Sequence, residues 1–130
     1  MLVPFLITAA VFLVLDGIWL LTVGARFYKA QLGELMAPTV NFWAAGVFYL
    51  IYLTALMVFV VVPALKVGRP QEALWKGALF GLAMYATYDL TNLAALRGWP
   101  LSVTLVDLGW GAFVTAATAF LATHLIRALS

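Results

Sequence analysis

Four stretches of the chain, residues 2–23, 42–62, 77–96 and 101–125, are apolar with few interruptions. A helix needs about 20 mainly apolar residues to cross the hydrocarbon of a bilayer, and each stretch has that length. None alternates apolar and polar residues with period two, as membrane barrel strands do. The pattern predicts an all-α membrane protein, a four-transmembrane-helix bundle forming one domain over residues 1–130. Pro63 and "KVGRP" close the second span, and Trp75 with Lys76 opens the third as an interfacial anchor. "RGWP" reads as a tight turn, with Pro100 where a helix starts. Residues 24–41 mix Phe27, Tyr28, Leu32, Leu35 and Met36 with Arg26, Lys29, Gln31 and Glu34. That mixture is read as a short helix lying in the interface or a polar loop.

Composition agrees with this pattern. Of 130 residues, 66% are hydrophobic and 9% charged, with a mean hydropathy of +1.10. A soluble domain carries about 25% charged residues, and so short a chain could not hide this much apolar surface from water. Residues 2–23 lack a basic leader and run too long for a signal-peptide core, so they are read as a retained span. There is no cysteine and a single histidine, His124, so no metal or other cofactor is implied. The seven basic residues are scattered and make no nucleic-acid patch. With four spans both termini share one side, which holds Lys66, Arg69, Lys76 and Arg127 against Arg26, Lys29 and Arg97 opposite. That balance places the termini in the cytoplasm.

Charge changes the picture in one place. Glu34 and Glu72 lie in connections, but Asp16, Asp89 and Asp107 fall inside the spans. An aspartate at a helix centre costs roughly 2.5–3.5 kcal/mol on insertion scales, so each should face the bundle interior. Counted along their spans, all three sit roughly 10 Å below the same membrane face. Tyr49, on the second span, falls at the same depth. Trp19 follows Asp16 by three residues and Trp110 follows Asp107 by three, so "LDGIW" and "VDLGW" repeat one Asp-x-x-Trp signature. Asn92 lies three after Asp89, and Tyr85 four before it. Residues so spaced share a helix face. Arg97, eight residues past Asp89, is the expected counter-ion, bending back toward the layer. The candidate binding set is therefore Asp16, Trp19, Tyr49, Tyr85, Asp89, Asn92, Arg97, Asp107 and Trp110. Its bland alternative is that these groups only clip the helices together, with the tryptophans as packing.

"FLVLDGIWL", "FYKAQLG" and "YATYDLTNLAALRGWPLSVTLVDLGWG" together resemble the small bacterial membrane proteins grouped as domain of unknown function 2177. The likeness covers nearly the whole chain and is strongest from Tyr85 to Gly111. It implies a four-span inner-membrane protein and carries no catalytic assignment. "FLVLDGIWLLTVGARF" can also be laid against "MYATYDLTNLAALRGW", an arrangement of two duplicated helix pairs of the kind found in transporters.

Three functions fit these residues. A carboxylate-lined pocket with aromatic faces suits binding or transport of a small amphiphilic or cationic molecule, with proton coupling through the shared acids and a homodimer as the transporting unit. An accessory subunit of a larger membrane complex would use the featureless second span as its docking face. An acid–base enzyme acting on a lipid or isoprenoid would use the aspartates as its acid and base. The first is the leading expectation.

Overall fold

The computed structural model describes residues Met1–Ser130. Its elements are α1 (Leu2–Trp19), α2 (Ala25–Leu32), α3 (Phe42–Leu56), α4 (Val62–Val67), α5 (Pro70–Ala95) and α6 (Leu101–Leu129), with no strand. Wide π-helical turns, Leu20–Gly24 and Met57–Val61, join α1 to α2 and α3 to α4. The six segments therefore make four rods. Three of them, Leu2–Leu35, Phe42–Val67 and Leu101–Leu129, are long and apolar enough to cross a membrane. The fourth, α5, carries Glu72, Lys76, Thr87, Asp89, Thr91 and Asn92, which lower its hydropathy.

Local chemistry sets the ends of the rods. Asn41 caps α3, its side-chain oxygen accepting the Ala44 N–H at 3.1 Å. Gly68, with φ of 69°, ends α4 in the left-handed region where glycine has no steric penalty. Pro70 then starts α5, where a missing N–H costs nothing. Gly98, with φ of 81°, turns the chain between α5 and α6.

The two π turns have different causes. Pro63 cannot donate to the carbonyl four residues back, and its ring crowds the preceding turn, so the helix opens over Met57–Val61. At Leu20–Gly24 no proline is present. There the Thr22 hydroxyl donates back to the Ile18 carbonyl at 2.7 Å, a bond that competes with the helix ladder. Gly24 lies under the Trp19 indole, where an added Cβ would stand 2.6 Å from Nε1. Of the short helix or polar loop read over residues 24–41, the helix is α2, which is not separate but continues the first rod, and residues 36–41 are irregular. No proline lies between Val23 and Leu32, and the first rod runs on through the wide turn into α2.

Small residues bring α5 and α6 together along their length. A Cβ on Gly77 would meet the Ala116 backbone at 3.0 Å. One on Gly81 would overlap the Gly111 carbonyl, and one on Gly111 the Tyr85 ring. In lipid, where hydrocarbon surrounds the helices anyway, such close packing holds them together in place of a hydrophobic drive. A core of Phe12, Tyr52, Leu56, Val60, Val61, Val114, Ala119 and Ile126 fills the centre. Within it the Tyr52 and Thr115 hydroxyls bond at 2.6 Å. Outward, Leu21, Trp43 and Leu129 are more than 70% exposed, as befits side chains that meet lipid.

Candidate functional site

The two Asp-x-x-Trp motifs meet across α1 and α6. Trp19 and Trp110 stack with ring centroids 4.6 Å apart and planes 12° from parallel. Each tryptophan then serves the other motif's acid. Trp110 Nε1 donates to Asp16 Oδ1 at 3.2 Å. Trp19 Nε1 donates to the Tyr28 hydroxyl at 3.3 Å, and that hydroxyl donates to Asp107 Oδ1. Tyr49 adds a second, longer bond to Asp16, 3.4 Å to Oδ2. Trp99 Nε1 donates to the Thr104 hydroxyl at 3.1 Å, and its ring meets Tyr88 edge to face at 5.6 Å.

These side chains wall a cavity of about 520 Å³. Asp16, Trp19, Tyr49, Tyr85, Asp107 and Trp110, all named from the sequence, line it. Thirteen of its fifteen lining residues are apolar or aromatic, and the other two are Asp16 and Asp107. No basic residue lines it. It is an aromatic chamber holding two acids.

Asp89, Asn92 and Arg97 are not in the lining. Asp89 is fully buried beside Asp107, and neither of its oxygens has a hydrogen-bond partner. Asn92 is half-buried and makes no hydrogen bond to Asp89. Arg97 as counter-ion is corrected. It is exposed and takes no part in the two ion pairs present, Arg69–Glu72 and Lys76–Glu72. The reason is local. Helix α5 stops at Ala95 and Leu96 turns extended, with φ −103° and ψ 136°, so Arg97 is no longer on the helix that carries Asp89.

Tyr28 is the member that sequence reasoning missed. In an unbroken α-helix, at about 100° per residue, Tyr28 would stand about 120° from Asp16. A π turn takes in roughly one extra residue, so the helix beyond it lags by roughly 100°. The lag swings Tyr28 to within about 20° of Asp16, onto the face that meets α6. Thr22 and Gly24 were the signals available, and neither spacing nor hydropathy makes a wide turn obligatory there. Phe48, Met84, Tyr88 and Trp99 also line the cavity and carry no charge that would have marked them.

The crossed motifs coincide with the segments that carried the family resemblance. The family model described as predicted membrane protein (DUF2177) matches residues 1–124. The chain belongs to that family. No curated protein and no solved structure matches it. The family description adds no chemistry to the cavity, so what the cavity does has to be argued from its walls.

Proposed function

We propose that the cavity is an intramembrane binding site for a small cationic or amphiphilic molecule, in a four-span protein of the bacterial inner membrane with cytoplasmic termini. The observation that carries this is the lining: two carboxylates, no cation and a ring of aromatic faces. A positive group entering it finds charge neutralisation at Asp16 and Asp107. It also finds cation–π contact, each worth about 0.5–2 kcal/mol in a desolvated site. An anion would find only repulsion. The volume falls in the range of roughly 300–1,000 Å³ that small-molecule sites occupy. The short chain from Trp19 through Tyr28 to Asp107 holds the acid in place before the ligand arrives, which lowers the ordering cost of binding.

The test is direct. The stacked Trp19 and Trp110 make indole fluorescence a reporter of occupancy. Purified protein in a neutral detergent is titrated with benzyltrimethylammonium and with its uncharged tert-butyl carbon isostere. The cation should bind at least tenfold tighter, and Asp16→Asn and Asp107→Asn should each remove most of that preference. Equal binding of the cation and the isostere would refute a cation site.

A further inference from the structure

The geometry points to a lateral opening between α3 and α5 through which an apolar tail of the cavity's occupant passes into the bilayer. This rests on the cavity reading above and names the class of occupant: a net-cationic amphiphile whose charged head sits at Asp16 and Asp107.

The opening follows from how the two helices diverge. Near the Pro63 end the Met57–Val61 turn and α4 pack directly on α5. Further along, Tyr52 of α3 still touches Phe80 of α5, with ring centroids 6.2 Å apart. One turn on, roughly 5.4 Å along each helix, stand Phe48 and Met84. Both line the cavity and are 46% and 37% exposed. Tyr88, the next turn of α5, lines it too and is 56% exposed. Exposed cavity-lining side chains on facing turns of two helices that have parted mark the edge of an aperture.

The other end of the cavity is walled differently. Leu32, the last residue of α2, lines it there with Met36 and Trp99 from the two connections, and Met36 is itself 42% exposed. Ser102 donates to Gln31 at 2.6 Å, tying α2 to the start of α6 across the same end. The aperture between α3 and α5 thus has an apolar and aromatic rim, Phe48, Met84 and Tyr88, with no charged residue. That rim faces hydrocarbon, and a methylene tail crossing it would stay out of water, which is favourable by about 0.8 kcal/mol per methylene.

The absence of a basic residue in the lining decides between kinds of head group. A zwitterionic phospholipid would bring a phosphate close to Asp16 and Asp107 with nothing to neutralise it. A quaternary or primary ammonium amphiphile brings only the charge the site lacks.

The probe is a dodecyltrimethylammonium bearing a diazirine at the last tail carbons, photolysed on the purified protein in neutral detergent and mapped by peptide mass spectrometry. Adducts that excess benzyltrimethylammonium removes should fall on Phe48, Met84 and neighbouring outward residues of α3 and α5. Displaceable adducts on Met36, Leu32 or Trp99 instead would place the tail at the capped end and overturn the lateral opening while leaving the cavity reading intact. If no adduct is displaced by benzyltrimethylammonium, the cavity reading fails and the opening falls with it. Displacement by dodecylphosphocholine at the same concentration as by dodecyltrimethylammonium would overturn the assignment of a net-cationic head.

Discussion

Asp89 offers the sharpest test of the packing. Its carboxyl is fully buried, neither oxygen is hydrogen-bonded, and its acidic neighbour is Asp107, whose own oxygen is held by Tyr28. Replacing Asp89 by asparagine keeps the shape, removes one acid from the pair and supplies an N–H₂ that can donate to the Asp107 carboxylate. An unsatisfied buried polar group costs about 1–3 kcal/mol, and a hydrogen bond to a charged group contributes about 1.5–3 kcal/mol. Asp89→Asn should therefore stabilise the protein by roughly 1–3 kcal/mol. With an unfolding entropy near 2.1 cal/mol/K per residue, that is a rise in Tm of about 4–11 °C. The assay is thermal unfolding in neutral detergent at pH 7.5, followed by tryptophan fluorescence. The gain should shrink below about 1 kcal/mol in an Asp107→Asn background, because the charged acceptor is then gone. A fall of several degrees on Asp89→Asn would refute the reasoning. It would mean that a cation such as Arg97 holds the carboxylate, and stranding that cation costs about 3–5 kcal/mol.

Two other perturbations separate packing from propensity. Gly81→Ala places a methyl group into the Gly111 carbonyl and Thr115, so it should lower Tm by about 4–11 °C, from the 1–3 kcal/mol cost of overpacking. Gly46→Ala and Gly109→Ala meet nothing within 4 Å and should raise it by a few degrees through helix propensity alone; equal effects at all three positions would contradict the tight α5–α6 contact. Deleting Leu21, which is 90% exposed, should heal the π turn into an α-helix and leave Tyr28 within about 20° of Asp16. Inserting an alanine there should rotate Tyr28 away by roughly 100° and lower stability; a deletion more damaging than the insertion would refute the phase argument.

Much of this molecule was legible from one dimension. Four helical rods follow from apolar run length and from the turn signals "KVGRP" and "RGWP", because the bilayer demands about 20 apolar residues and turn chemistry is local. The shared depth of Asp16, Tyr49 and Asp107 followed from counting residues, since the rise per residue of a helix is nearly constant, and Trp110 followed from its three-residue spacing; Asp89, counted to the same depth, is not in the lining. Rotation about the helix axis was not legible in the same way. Phase accumulates along a helix, so one wide turn at Leu20–Gly24 moves every residue beyond it to a new face, and Tyr28 joined the site for that reason. The fate of Arg97 depended on where α5 stops, a matter of one or two residues at Leu96. Whether an acid lines the cavity or lies buried outside it, as Asp107 and Asp89 do from neighbouring helices, was decided only when Gly77, Gly81 and Gly111 let α5 and α6 close on each other. Contacts between rods are set by side-chain shape in three dimensions, and no periodicity along the chain records them.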